Sequence, residues 1–187
     1  MFRPFLLVGL GGSGGKTLRF VKRDVAKRLR DAGWRNGEIP EAWQFLHIDT
    51  PTIQDGMELN SIVDPLDNDE YLGLVGSGVR FGDVANQLDS TPNLDHDLVG
   101  WRIDPAGLKV PIGVGAGQFR AVGRTVAMAH GGTIRNRLIN TFDRMSTPSA
   151  LSELSELYQK VTGASATGAV QKPVKVLESG QVLMPLL

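Results

Sequence analysis

The chain has 187 residues, 20 basic against 20 acidic side chains, a formal net charge of +0, 41% hydrophobic residues and no cysteine. Balanced charge argues against a dedicated nucleic-acid binder, which carries a basic excess, and the lack of cysteine excludes disulfides, thiolate metal sites and thiol catalysis. No apolar run reaches the ~18–20 residues of a membrane span, and the short N-terminal run is broken at once by glycines, so residues 1–187 read as a single soluble domain of cytoplasmic character.

In chain order, Phe5-Leu6-Leu7-Val8 reads as a strand running into Gly9-Leu10-Gly11-Gly12-Ser13-Gly14-Gly15-Lys16-Thr17. Small residues here let the backbone approach a ligand and leave the first N–H groups of the following helix open, where the helix dipole favours an anion such as phosphate. The helix is expected from Lys16 to about Ala32, with Leu18, Val21, Val25, Leu29 and Ala32 on one face. Its other face carries Arg19, Lys22, Arg23, Lys27, Arg28 and Arg30 and reads as solvated, since no aromatic residues interleave as stacking platforms. Gly33 is the expected stop.

After a loop over 34–41, Ala42 to Thr50 reads as a second strand, apolar in its middle and polar before Pro51. Strand, helix, strand at this spacing implies a parallel pair, and ligands of such sheets gather at the carboxyl ends of the strands. The glycine loop and Asp49-Thr50 therefore belong to one candidate site, although Asp-Thr-Pro also suits a plain turn.

Residues 52–109 read as an irregular insertion, acidic at first through Asp55, Glu58, Asp64, Asp67, Asp69 and Glu70, with a short helix expected over Phe81–Leu88 and a loop over 89–97. No chemistry is assigned to it. Leu98 to Ile103 could pack on the core. A second glycine turn, Gly113-Val114-Gly115-Ala116-Gly117, precedes a helical pattern with Val122, Val126, Ala129, Ile134, Leu138 and Phe142 on one face. Gly131-Gly132 predicts a kink or break in it. Thr147-Pro148-Ser149 starts a further short helix, 163–168 is a small-residue linker, and Val174-Lys175-Val176-Leu177 reads as the beginning of a strand. Residues 146–187 thus form an atypical C-terminal segment.

Three glycine-loop chemistries compete for the first turn. A P-loop, G-x-x-x-x-G-K-[ST], needs glycine where Leu10 stands, so Gly15-Lys16-Thr17 is one residue out of register. The dinucleotide pattern G-x-G-x-x-G matches Gly9 to Gly14, yet the acidic residue expected about 20 positions on is not there, and the second glycine turn has no part in such a site. Gly11 to Gly15 also fits G-x-S-x-G around Ser13, but a nucleophile elbow does not follow the first strand of a chain. His47, His96 and His130 show no metal or triad spacing.

Both loops are accounted for together by a family. Gly9 to Gly15 resembles the first phosphate loop of the tubulin/FtsZ superfamily. Phe45 to Thr50 resembles its second strand, and Gly113 to Gly117 followed by Val122-Gly123-Arg124 resembles its γ-phosphate loop. Arg3-Pro4-Phe5-Leu6 with Gln44 to Thr50 looks most like bacterial, actinobacterial-type tubulin-like proteins. The resemblance covers about 2–50 and 110–145. It implies a three-layer α/β fold with a mostly parallel, Rossmann-like sheet, binding a purine nucleotide, GTP or GDP, with Mg²⁺ as companion ion. Gly11, Gly12, Ser13, Gly14 and Lys16 would hold the phosphates, Asp49 and Thr50 would lie near them or their metal, and Gly115, Ala116 and Gly117 would close over the terminal phosphate. FtsZ commonly has asparagine at the position of Lys16. Self-association or a tubulin-like partner chain is the implied macromolecular contact. No residue is assigned as catalytic or as a metal ligand.

The superfamily's third loop, G-G-T-G-[ST]-G, is expected after Val174–Leu177, where Glu178 to Leu187 stands instead. The sequence therefore reads as an incomplete or degenerate nucleotide-binding domain with little hydrolysis of its own. An NAD(P)-binding oxidoreductase domain and a non-catalytic scaffold that retains the fold are the alternatives.

Overall fold

The computed structural model describes residues 2–89, 100, 103, 104, 106, 108, 111–117 and 119–163. Three parallel strands form its sheet in the order β1 (Phe5–Leu10), β2 (Trp43–Pro51), β3 (Tyr71–Val75). Val8 pairs with Leu46, Leu10 with Ile48, and His47 with Tyr71. The middle strand is buried on both faces, with Phe45, Leu46 and Ile48 apolar and His47 buried among them.

Helix α1 (Gly11–Asp31) covers one face, where Leu18, Phe45 and Leu66 meet. The opposite face packs Leu46, Ile48 and Leu72 against Ile134 and Leu138 of α4 (Gly131–Met145). Helices α2 (Phe81–Asp89) and α3 (Arg120–Ala129) pack on each other around Val75, Phe81, Ile112, Val122 and Val126. Helix α5 (Pro148–Thr162) seals the amino ends of the strands through Ala150, Leu154 and Leu157 on Leu29, Trp34 and Ala42. The result is the expected three-layer α/β arrangement around a parallel sheet. β1 lies at the edge of the described sheet, with Leu7, Val8 and Leu10 exposed at 37%, 42% and 53%.

Local signals explain several boundaries. Gly33, at φ 73°, ends α1 with its N–H on the Arg30 carbonyl at 2.9 Å, while Trp34 N–H reaches Leu29 O at 2.9 Å, a paired closure that needs a left-handed residue. The glycine pair breaks the helical pattern as expected, α3 ending at Ala129 and α4 starting at Gly131. Thr147 caps α5, its hydroxyl accepting from Ala150 N at 3.2 Å with Pro148 in the first turn.

Three expectations are corrected. The helix begins at Gly11, not Lys16: the glycines are its first turn rather than a turn before it. Glycine costs about 1 kcal/mol per residue against alanine in a helix, so the pattern shows only from Leu18, whereas tertiary packing extends the helix back. The stretch 52–109 holds a strand, β3, besides the expected short helix. Five residues with Gly73 in the middle, led in by Asp67, Asp69 and Glu70, carry no legible alternation; a Cβ on Gly73 would run into the Pro51–Thr52 backbone. Finally, the basic face of α1 is not wholly solvated. Arg19 is 3% exposed and Lys22 is half-buried, both beneath the 55–70 segment. The loop expected at 89–97 (from 90 on), most of 98–103, the linker from 164 on, and Val174–Leu177 with all that follows lie outside the described residues.

Candidate functional site

The carboxyl ends of the three strands set the site. β1 passes directly into α1, whose N-terminus has no side-chain cap at Leu10 and no acidic residue in its first turn. Its leading N–H groups thus lack intrahelical partners, and the dipole there favours negative charge. Gly11 turns the chain at φ 67° with open space where a side chain would stand. Gly9 and Gly14 are needed for packing instead: a Cβ on Gly9 would lie 2.6 Å from the Gly14 carbonyl oxygen, and one on Gly14 2.8 Å from the Gly9 carbonyl carbon. Only their bareness lets the strand end and helix start touch. A Cβ on Gly15 would fall into the His47 ring, while one on Gly12 would meet only the Asp55 carboxylate, at 2.7 Å. Ser13 is exposed, and its carbonyl accepts from the Thr17 hydroxyl at 2.9 Å. That bond turns Thr17 back along its helix, in keeping with the failed P-loop register.

His47 underpins the turn from β2. It is buried, with Nε2 2.9 Å from the Gly11 carbonyl oxygen and 3.5 Å from an Asp49 carboxylate oxygen. Its ring meets Tyr71 edge-on at 5.0 Å, and the Tyr71 hydroxyl donates to the Pro51 and Ile53 carbonyls at 2.5 and 3.1 Å. Burial, then the charges of Asp49 and Asp55, push the Tyr71 pKa up, so it stays a neutral donor.

Alternation along β2 sends its two polar end residues to opposite faces. Asp49 shares the α1 face with His47; its side chain is 12% exposed and accepts from Thr50 N–H at 2.7 Å. Thr50, 5% exposed, shares the other face with Leu46 and Ile48, and its buried hydroxyl has no partner among the described residues. A buried orphan hydroxyl is costly and calls for a ligand or water beside it.

Lys16, one turn into α1, reaches across to an acidic turn, with Nζ 2.8 Å from Glu58 and 3.6 Å from Asp55. The hydrogen bond from Lys16 holds Glu58 below the ordinary carboxylate range, and the same bond raises the Lys16 ammonium.

The second glycine turn lies against the same edge. The single turn of 3-10 helix Ile112–Val114 packs on β2, and a Cβ on Gly113 would stand 2.5 Å from the Gly76 carbonyl just beyond β3. Gly115 and Gly117 follow at φ 121° and 58°, with Ala116 packed against the α2–α3 core. Arg124 is half-buried on α3, which starts four residues earlier, at Arg120. Every residue proposed from the sequence thus sits at the carboxyl edge: Gly11 to Gly14 and Lys16 at the end of β1, Asp49 and Thr50 at the end of β2, and Gly115 to Gly117 beside the end of β3.

Sequence reasoning missed His47, Tyr71, Arg19, Asp55 and Glu58. In the sequence His47 is one of three scattered histidines with no partner spacing. The acidic spacing was visible, but nothing local shows that Asp55 and Glu58 fold onto Lys16. Among the described residues, no group of three or more His, Cys, Asp or Glu could hold a metal ion, and no helix is long and apolar enough to cross a membrane. A companion Mg²⁺ would take much of its coordination from phosphate oxygens and water, as this hard cation commonly does.

A family model described as tubulin like matches residues 6–176 of the chain. No curated protein and no solved structure matches it.

Proposed function

Since the chain belongs to the tubulin-like family, we propose that its carboxyl edge binds a purine nucleotide, GTP or GDP, through the phosphates. The observation that carries the proposal is the N-terminus of α1, with no side-chain cap at Leu10 and no acidic residue in its own first turn, set at the end of a parallel strand with Lys16 beside it. The N–H groups of Gly11 to Gly14 would bond the phosphate oxygens, and Lys16 would add a point charge. The orphan hydroxyl of Thr50 fits a polar ligand or its hydrated cation. Gly115 to Gly117 would lie over the terminal phosphate. Mg²⁺, when bound, would neutralise phosphate charge; no residue of this chain is assigned to hydrolysis. Self-association is the partner contact that accompanies this reading, and sedimentation with and without GTP would show whether nucleotide changes the oligomeric state.

The dinucleotide alternative is less well served. It needs the acid at the end of β2 free for a ribose hydroxyl, yet Asp49 is turned inward, bonded to Thr50 N–H and close to His47.

Gly12→Val tests the reading. A side chain there fills the phosphate space but meets only the movable end of Asp55, so the fold persists while GTP and GDP binding is lost. Unaltered binding by a folded Gly12→Val protein would make the loop a structural turn only.

A further inference from the structure

Beside the cradle stands an acidic turn that nucleotide binding does not itself require. Gly56, at φ 89°, turns the chain, and Leu59 N–H closes on Gly56 O at 2.9 Å over the single 3-10 turn Met57–Leu59. The turn is fixed to α1 from beneath. Arg19 Nη1 donates to Gly56 O at 2.8 Å, Nη2 to Val63 O at 2.6 Å and to Asn60 Oδ1 at 2.7 Å, and Nε to Asp64 O at 3.0 Å. A buried guanidinium with these four acceptors holds the backbone of the turn on which Asp55 and Glu58 stand.

Those carboxylates stand where a phosphate must go. Glu58 holds the Lys16 ammonium at 2.8 Å, and Asp55, itself steadied by Gly56 N–H at 2.7 Å, stands 3.6 Å from it. The Asp55 oxygen that faces Lys16, Oδ2, also lies 2.7 Å from the Cβ position of Gly12, over the start of the helix. With Asp55 and Glu58 side chains 54% and 60% exposed, each pairing is weak and reversible, about a 1.5- to 5-fold effect on a competing equilibrium.

We propose, on the footing of the phosphate cradle above, that Asp55 and Glu58 compete with ligand phosphate for Lys16 and for the space over Gly12, lowering the affinity of every phosphate ligand alike so that a weakly held one no longer fills the site. A small phosphate anion with nothing else to hold it is turned away. A nucleotide, with further contacts along the strand ends, displaces the carboxylates and stays. The device thereby keeps abundant inorganic anions from occupying the site.

The test is titration calorimetry with pyrophosphate and with GDP, in EDTA, on the wild type and on D55N/E58Q. These amide replacements keep size and leave Asp55's acceptor oxygen for Gly56 N–H. The control is D24N/D31N, an equal charge change on α1 at residues that pair with Arg23 and Lys27 instead. D55N/E58Q is expected to bind both probes about 3- to 20-fold more tightly, and the control to gain little. Unchanged or weaker binding by D55N/E58Q, or an equal gain in the control, overturns the proposal while leaving the cradle in place. If no protein binds either probe, the cradle reading itself fails and the competition falls with it.

Discussion

Arg19→Met removes the cation that ties α1 to the chain over 56–64 while keeping most of the apolar stem. Arg19 is 3% exposed and donates to three backbone carbonyls and one side-chain amide. Hydrogen bonds to a charged group are worth about 1.5–3 kcal/mol each, and each carbonyl left dry costs about 1–3 kcal/mol. Relief of the cation's own desolvation and entry of water from the exposed Asn60 side reduce the total, so the net loss is about 2–4 kcal/mol. For a chain of this size that lowers Tm by about 5–12 °C. Urea unfolding gives the global value, and hydrogen exchange at Leu59, Asn60, Ile62 and Val63, whose N–H groups bond within the segment, gives the local one. Arg19→Lys should recover less than half, because one ammonium cannot serve four acceptors spread along a fork. A loss below about 0.5 kcal/mol, with exchange over 56–64 unchanged, would refute the clamp.

Gly15→Ala has two opposed expectations: helix propensity alone favours alanine by about 1 kcal/mol, whereas the methyl would enter the His47 ring, and overpacking of about 1–3 kcal/mol should win. Net stabilisation in thermal unfolding would show that His47 yields freely. At Gly132 nothing lies within 4 Å of an added Cβ, so Gly132→Ala should gain about 0.5–1 kcal/mol in urea unfolding, and a loss would mean the bare position is needed for the α3–α4 break. Asp69 is held below the ordinary carboxylate range first by its hydrogen bond to Arg144, and a group whose pKa falls on folding contributes stability at neutral pH that is lost as pH drops through the folded value. Asp69→Asn should therefore flatten the stability loss below about pH 4, by at most ~1 kcal/mol for so exposed a pair; an unchanged acid limb in urea midpoints from pH 7 to 3 counts against it.

Local signals made much of the frame legible: the apolar run of β2, the 3.6-residue period of α1 from Leu18, Gly33 as a stop and Gly131-Gly132 as a break. What stayed hidden was decided at a distance. The start of α1 at Gly11 depends on Gly9 meeting Gly14 and Gly15 meeting His47, contacts that no propensity records. β3 is short, contains Gly73 and follows an acidic run, so its pairing with β2 has no period to announce it. Arg19 and Lys22 sit on the polar side of the helical wheel and look solvated, because the 55–70 segment that covers them is far along the chain. The same holds for the site: the glycine turns and Asp49-Thr50 were recognisable as strand ends, whereas Asp55 and Glu58 joined it only through the fold.

Equilibrium binding of GTP, GDP, ATP, NAD and NADP to the wild-type protein tests the central claim most directly. The account predicts saturable binding of guanine nucleotides, preferred over the dinucleotides. Preference for NAD or NADP would contradict the phosphate-cradle assignment in favour of a dinucleotide site, and no binding of any of the five would leave the chain a scaffold that keeps the fold without the ligand.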